Sequence, residues 1–198
     1  MTHYSVNEIF FSLQGEGVRA GTANVFVRFA GCNLTCKMES HGFDCDTEFS
    51  NGRPYTAKEL AEEMARIGGP CRATVLTGGE PLLQVDDELL QQLKAQGWYI
   101  AVETNGTKPR LQWIDWLTCS PKVAEHAIAL KDVEEVKYVR HAGQALPKPH
   151  CVADYYLLSP AWTSSGVDRA SLEWCIQLCK ENPKWRLSIQ QHKVWKVR

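Results

Sequence analysis

The sequence predicts an α/β fold, because short β-prone segments alternate with segments whose apolar residues have helical spacing. Such an order is typical of a parallel sheet with right-handed crossovers, and most simply of a partial, incomplete TIM-like barrel. With 198 residues the chain suits one compact domain over 1–198, and no second domain is needed.

The predicted elements follow one another in a regular order. Strands are expected at eight β-prone segments: residues 6–11, 24–30, 73–76, 98–102, 116–119, 136–139, 155–158 and 185–190. Helices are expected after Thr56, which can cap an apolar run of helical spacing, and over 86–96 and 171–181. Polar or glycine-rich residues follow several strands, so a ligand site is expected at the carboxyl edge of the sheet.

Three thiols lie close together in the sequence, at Cys32, Cys36 and Cys45. Thiolates are soft ligands that select iron–sulfur clusters or zinc. An iron–sulfur cube normally takes four thiolates, so three leave one iron open. An open iron beside a redox-active cluster can bind a second molecule, which is a catalytic arrangement.

The same segment supports a second interpretation. With His41 it has the spacing C-x3-C-x4-H-x3-C, which is close to a zinc knuckle. Four closed ligands would make a structural tetrahedral zinc, and small knuckles of this kind bind single-stranded nucleic acid. Ordinary buried thiols are a third possibility. The cysteines alone leave all three readings open.

Charge and composition bear on partners and compartment. The 22 basic and 23 acidic side chains give a formal net charge of -1, so no global attraction to nucleic acid is indicated. The amino terminus lacks the basic and apolar regions of a signal peptide, and no apolar run reaches membrane-spanning length. We expect a cytoplasmic protein with no membrane partner, whose cysteines are thiols or metal ligands.

Polar side chains near strand ends are candidates for ligand binding. Gly15 and Gly17 flank Glu16, and glycines let backbone approach a ligand closely, although a plain turn has the same pattern. Arg28 precedes the cysteines in its strand and can pair with a carboxylate or lie on the solvent face. Glu80, after two glycines, can accept hydrogen bonds from an ammonium group.

Several motifs occur in the order found in radical S-adenosylmethionine enzymes. They are the three cysteines, Leu13-Gln14-Gly15-Glu16-Gly17, Thr77-Gly78-Gly79-Glu80-Pro81 and Glu103-Thr104-Asn105-Gly106. Within that superfamily the chain resembles the 7-carboxy-7-deazaguanine synthase family. The further shared motifs are Arg28-Phe29-Ala30-Gly31-Cys32-Asn33, Cys45-Asp46-Thr47, Ser120-Pro121-Lys122 and Trp185-Arg186-Leu187-Ser188. Each motif alone is weak, but their joint order is very specific.

The resemblance implies a lyase with a 4Fe-4S cluster on Cys32, Cys36 and Cys45, in a loop over about 31–47. The cluster would cleave S-adenosylmethionine to a radical that abstracts hydrogen from 6-carboxy-5,6,7,8-tetrahydropterin. The product would be 7-carboxy-7-deazaguanine, with loss of ammonia, in queuosine or other 7-deazapurine biosynthesis. Further implied are Mg2+ at Thr47, a homodimer, and an electron donor such as flavodoxin.

The resemblance also implies two sets of binding residues. The pterin is expected at Leu13, Gln14, Gly15, Arg28, Thr77, His192 and the terminal carboxylate of Arg198. S-adenosylmethionine is expected at Gly79, Glu80, Glu103, Ser120, Pro121, Lys122, Ser159, Pro160, Ala161 and Trp162. Arg28 would pair with the pterin carboxylate. One hydroxyl at Thr47 is thin coordination for magnesium, so the substrate is expected to complete the shell.

The chain departs from the superfamily pattern in its cysteine segment. The usual spacing is C-x3-C-x2-C, whereas eight residues separate Cys36 from Cys45, and the aromatic that usually precedes the third cysteine is shifted to Phe43. Two rival functions are therefore kept. A glycyl-radical-enzyme activating enzyme shares the size, cluster and cofactor, and a zinc-stabilised nucleic-acid-binding module accounts for the cysteines.

Overall fold

A computed structural model of the chain describes residues 2–37, 49–163 and 166–198. Its strands are β1 Tyr4–Leu13, β2 Ala23–Phe29, β3 Arg53–Tyr55, β4 Ala73–Gly78, β5 Tyr99–Thr104, β6 Trp116–Cys119, β7 Asp132–Arg140, β8 Val152–Pro160, β9 Trp162–Thr163, β10 Gly166–Val167 and β11 Trp185–Leu187. Its α-helices are α1 Ala57–Gly68, α2 Asp87–Ala95, α3 Arg169–Glu181 and α4 Gln191–Trp195. Short 3-10 turns lie at Pro81–Leu83 and Glu125–Ala127.

Nine of the described strands form one sheet, in the order β11-β8-β7-β6-β5-β4-β2-β1-β3. Neighbours from β2 to β11 are parallel, whereas β1 and β3 are antiparallel at one edge. The outermost strands, β3 and β11, do not pair with each other, so the sheet stays open. The predicted α/β fold with a partial barrel is therefore confirmed.

The predicted strands and helices are found, and β3, β9, β10 and α4 occur in addition. The connections β5 to β6, β6 to β7 and β7 to β8 contain no α-helix, so the alternation of strands and helices is incomplete. The last strand ends at Leu187 rather than at residue 190. The chain turns there because the Gln191 amide donates a hydrogen bond to the Gly15 carbonyl, 2.8 Å away, and α4 begins.

Helix α1 begins at the residue that the sequence indicates. Thr56 accepts a hydrogen bond from the Glu59 amide while the Glu59 side chain accepts one from the Thr56 amide, which completes a capping box. The apolar side chains of Leu60 and Met64 are fully buried. Among the described residues, no helix is long and apolar enough to cross a membrane.

The main core lies between the helices and one face of the sheet. Leu89, Leu90 and Leu93 of α2 are fully buried in it, together with residues of α1 and α3. On the opposite face, which we call the inner face, Phe10 and Phe26 stack with ring centroids 5.0 Å apart. Because side chains alternate along a strand, the inner face also receives the polar residues at the carboxyl ends of the strands.

Leu90→Ala should lower the free energy of unfolding by about 2 to 5 kcal/mol, because it opens a cavity in this core. Leu83→Ala is the matched control: Leu83 is 41% exposed, and its truncation should cost less than about 1 kcal/mol. Denaturant unfolding of both variants measures the difference. Equal effects would show that α2 does not pack as described.

Candidate functional site

The segment that carries the cysteines docks on the end of β4 through backbone alone. The Gly79 amide donates to the Phe29 carbonyl at 3.1 Å, and the Glu80 amide donates to the Gly31 carbonyl at 3.0 Å. A Cβ on Gly79 would lie 2.0 Å from the Gly31 oxygen and 3.0 Å from the Cβ of Cys32. Only glycine fits at this contact, which brings Cys32 to the carboxyl end of β4.

Two of the three predicted cluster ligands can be described. Cys32 and Cys36 are partly buried in the loop that follows β2. The Leu34 amide donates to the Cys32 sulfur at 3.4 Å, a contact that favours a thiolate. Cys45 and Thr47 lie outside the described residues, so the third cluster ligand and the magnesium ligand stay predictions.

Glu80 joins the ends of β4 and β5. Its carboxylate is fully buried and accepts hydrogen bonds from the Leu82 amide at 3.0 Å, the Thr104 hydroxyl at 2.7 Å and the Asn105 amide at 2.7 Å. Burial raises the pKa of Glu80, whereas the hydrogen bonds from these donors act to lower it. The chain itself therefore satisfies this carboxylate, and its geometry is that of a brace between two strand ends.

Asn33 ties the cysteine segment to the same brace. The Asn105 side-chain amide donates to the Asn33 side-chain oxygen at 3.0 Å, and the Asn33 side-chain amide donates to the Thr107 hydroxyl at 2.9 Å. The loop between Cys32 and Cys36 is thus held from the ends of both β4 and β5. This arrangement fixes the thiols relative to the edge of the sheet.

Three predicted ligand residues from separate strands meet on the inner face. Gln14 donates to one oxygen of Glu103 at 2.9 Å, and the Thr77 hydroxyl donates to the other at 3.1 Å. Gln14 and Thr77 come from the predicted pterin set, whereas Glu103 comes from the predicted cofactor set. Their contact places Glu103 beside two residues of the predicted pterin set, at the border between the two predicted sets.

The β1–β2 turn meets the C-terminal segment. A Cβ on Gly15 would lie 2.2 Å from Nδ1 of His192, so these two predicted pterin residues are in direct contact. The Gln191 amide donates to the Gly15 carbonyl, which holds them together. Leu13, which precedes this turn, is 37% exposed at the end of β1.

Arg28 and Arg198 share one carboxylate. The Arg28 Nε atom pairs with one oxygen of Glu8 at 2.8 Å, and the Arg198 guanidinium pairs with the other oxygen. The Ser12 hydroxyl also donates to a main-chain oxygen of Arg198 at 2.6 Å. Simple alternation from buried Val6 would turn Glu8 toward the helices. A register shift between these two residues turns it to the inner face instead, so sequence reasoning missed Glu8.

The other predicted cofactor residues follow β6 and β8. Ser120 directly follows β6, where its amide donates to the Thr104 carbonyl at 2.8 Å and its hydroxyl to the Lys137 carbonyl at 3.2 Å. Pro121 and Lys122 follow it directly. The segment Ser159-Pro160-Ala161-Trp162 ends β8. All of these residues therefore lie at the carboxyl edge of the sheet.

A buried ion pair beneath the β1–β2 turn was not predicted. Lys137 of β7 pairs with Glu16, and Gln190 donates to Glu16 at 2.7 Å. Burial alone would raise the pKa of Glu16, but the Lys137 charge and these hydrogen bonds lower it to about 2. Burial likewise opposes the charge of Lys137, yet Glu16 and Glu103 raise its pKa. A lysine within a strand of mixed charged and apolar residues gives no sequence signal of this role.

Glu135 holds the same turn from the other side. It accepts a hydrogen bond from the Val18 amide at 2.8 Å, and a Cβ on Gly17 would lie 2.4 Å from its carboxylate. Gly17 also has a φ of 72°, which favours glycine. Burial raises the pKa of Glu135. The turn that presents Gln14 and Gly15 is thus fixed by buried carboxylates.

Comparison with known proteins identifies the class. The pattern of the Radical SAM superfamily matches residues 26–150. The 7-carboxy-7-deazaguanine synthase of Bacteroides thetaiotaomicron is 40% identical over 194 residues, 98% of each chain. That of Bordetella pertussis is 42% identical over 207 residues, 96% of this chain and 97% of the relative.

A solved structure agrees with these relatives. The crystal structure of QueE from Escherichia coli has a TM-score of 0.71 and 26% identity to this chain, and the match covers 96% of this chain and 95% of that one. The chain therefore belongs to the radical S-adenosylmethionine superfamily. Within it, the chain belongs to the 7-carboxy-7-deazaguanine synthase family, which confirms the resemblance found in the sequence.

The family implies a 4Fe-4S cluster and S-adenosylmethionine, and the described residues fit both groups. Cys32 and Cys36 supply soft thiolate donors. Because Gly79 has no side chain, peptide groups lie beside these two cysteines at the carboxyl end of β4. The Nε1 atom of Trp162 is buried and has no hydrogen-bond partner among the described residues, so a donor is available in the predicted cofactor segment.

Glu16→Gln should destabilise the protein in a pH-dependent way. The folded pKa of Glu16 is lowered from 4.5 to about 2, so its stabilisation is present above pH 4.5 and is lost as the pH falls toward 2. The lowered pKa corresponds to a cost on the order of 3 kcal/mol at neutral pH. Urea unfolding between pH 3 and 7 measures the difference from the wild type.

The control for this prediction is Glu62→Gln. Glu62 pairs with Lys58 on the exposed face of α1, so its replacement should change stability by less than about 0.5 kcal/mol at any pH. If the cost of Glu16→Gln did not shrink toward acid pH, the lowered pKa would be wrong.

Proposed function

We propose that the protein converts 6-carboxy-5,6,7,8-tetrahydropterin to 7-carboxy-7-deazaguanine, with release of ammonia, in queuosine or a related 7-deazapurine biosynthesis. It does so as a radical S-adenosylmethionine lyase. The single observation that carries this proposal is the convergence of the cysteine segment, the Glu103 cluster and Arg28 at one edge of the sheet. The names of the relatives support the same reaction.

Cys32 and Cys36, together with Cys45, are proposed to hold the cluster. When bound, the cluster and S-adenosylmethionine supply the radical chemistry that removes a hydrogen atom from the substrate. The chain fixes where this occurs, because the thiol segment is anchored to β4 by Gly79 and to β5 by Asn33. A fixed position matters because small misplacements of reacting groups lower the rate strongly.

The pterin is proposed to lie on the inner face, between the β1–β2 turn and the end of β5. Arg28 is suited to the pterin carboxylate, because a guanidinium receives a carboxylate through two parallel hydrogen bonds. The amide of Gln14 and the hydroxyl of Thr77 provide polar groups for the ring, and Glu103 orients both of them. Leu13, Gly15, His192 and Arg198 complete the proposed pterin set.

S-adenosylmethionine is proposed to lie across the ends of β4, β6 and β8, against Gly79, Ser120-Pro121-Lys122 and Ser159-Pro160-Ala161-Trp162. Glu80 contributes by bracing the ends of β4 and β5, since its carboxylate already accepts three hydrogen bonds from the chain. Glu103 directly precedes Thr104, which donates to the Glu80 carboxylate. Glu103 is therefore proposed to lie next to both ligands.

Magnesium and the macromolecular partners are further parts of the proposal. Thr47 is proposed as a ligand of Mg2+, with substrate oxygens and water in the remaining positions, because a hard cation needs more oxygen ligands than one hydroxyl. The protein is proposed to act as a homodimer in the cytoplasm and to receive its electron from a donor such as flavodoxin.

Anaerobic incubation of the reconstituted protein with S-adenosylmethionine, reductant, Mg2+ and 6-carboxytetrahydropterin should give 7-carboxy-7-deazaguanine, measured by mass spectrometry. Omission of the pterin is the control and should give none. Cleavage of S-adenosylmethionine without this product would contradict the proposed substrate and favour an activating enzyme. Binding of single-stranded RNA with neither reaction would favour a zinc module.

Cys45→Ala should lose the iron–sulfur cluster, because only two thiolates would remain. His41→Ala is the matched control from the same loop and should keep about four irons per chain. Iron and sulfide analysis after anaerobic reconstitution measures both variants. A cluster that survives Cys45→Ala but not His41→Ala would overturn the assignment of ligands.

A further inference from the structure

The segment 188–198 lies across the proposed pterin site. The Ser188 hydroxyl accepts from the Gly17 amide at 2.9 Å, and Gln190 donates to Glu16 at 2.7 Å. At its far end a main-chain oxygen of Arg198 accepts from the Ser12 hydroxyl. These contacts all go to β1 and the turn that follows it. They hold one side of the 188–198 segment.

The other side of the segment contacts the proposed cofactor site. The Lys193 ammonium lies 4.7 Å from the centroid of the Trp162 ring, which is within the range of a cation–π interaction. Trp162 belongs to β9 and follows β8 directly. The 188–198 segment therefore bridges the residues proposed for the pterin and those proposed for S-adenosylmethionine.

Polar contacts, more than apolar burial, hold α4 in place. The helix has five residues and none of them is buried, and so short a helix is not stable in isolation. Val194 in its centre is 63% exposed. A segment with little apolar burial opens at low free energy, so the loss of one contact should change its position measurably.

Lys193 also restrains the Trp162 ring. The cation lies over the face of the ring, while the Nε1 atom at the ring edge is buried without a partner among the described residues. A buried donor without a partner is costly, so such a group commonly serves a ligand. The contact with Lys193 therefore fixes the direction in which the indole N–H can donate.

We propose that Lys193 is a positioning residue of the reaction, which holds the 188–198 segment closed over the pterin by binding the face of Trp162. This inference rests on the proposed function. In the closed position His192 stays against Gly15 and Lys193 stays over the face of the Trp162 ring. Closure excludes water and other hydrogen donors, so that radical chemistry is directed to the pterin.

Lys193→Gln is the test variant, because it keeps most of the side chain and removes the charge. A cation–π contact of an exposed lysine corresponds to roughly twofold to fivefold in an equilibrium. We expect the KM for the pterin, and the ratio of 5′-deoxyadenosine to product, each to rise by about that factor. Lys193→Arg should stay close to the wild type, because a guanidinium also stacks on an indole.

The matched control is Lys184→Gln. The Lys184 ammonium lies 3.8 Å from the centroid of the Tyr156 ring, and Tyr156 packs in the main core on the helix side of the sheet. The substitution removes the same kind of contact away from the proposed site. It should leave the KM for the pterin and the product ratio unchanged.

Hydrogen exchange tests whether Lys193 holds the 188–198 segment in place, and it does not depend on catalytic turnover. In cluster-loaded protein, Lys193→Gln should speed the exchange of amides in 189–198 by roughly twofold to fivefold, whereas Lys184→Gln should not. Wild-type exchange and an unchanged KM in Lys193→Gln would overturn the inference. If the wild type forms no 7-carboxy-7-deazaguanine, the proposed function fails, and the exchange experiment still decides whether Lys193 holds the segment.

Discussion

The arrangement of the site depends on one close contact between two backbones. Gly78 and Gly79 at the end of β4 lie against the chain from Phe29 to Gly31, and a Cβ on either glycine would come within 2.3 Å of a carbonyl oxygen. Two hydrogen bonds cross this contact. Because Cys32 follows Gly31 directly, the contact sets the position of the thiol segment relative to every other strand end.

Charged groups fix the second half of the site. Glu103 and Glu135 accept hydrogen bonds from Gln14 and Val18 of the β1–β2 turn, and Glu16 within the turn accepts one from Gln190. Burying a carboxylate is costly unless it is paired or accepts hydrogen bonds. Lys137 pairs with Glu16. The turn is thus held in one conformation by polar contacts, which suits a site that must orient a polar ring.

Much of the fold could be predicted, because the parallel strands are buried on both faces and helix α1 carries its own cap. The strand-end motifs also indicated Gln14, Thr77 and Glu103, which meet on the inner face, and Glu80, which braces the ends of β4 and β5. Glu8 could not be predicted, since a bulge in β1 reverses the face on which it lies. The roles of Cys45 and Thr47 stay predictions, because both residues lie outside the described part of the chain.

The most direct test of the account is the affinity of the cluster-loaded protein for S-adenosylmethionine after Gly79→Ala. Gly79 does not have the positive φ of a left-handed residue, so the added methyl group acts only through its contact with Gly31 and Cys32. The account predicts binding weaker by about tenfold or more, as expected for an overpacked contact. An unchanged dissociation constant would contradict the central role of this contact.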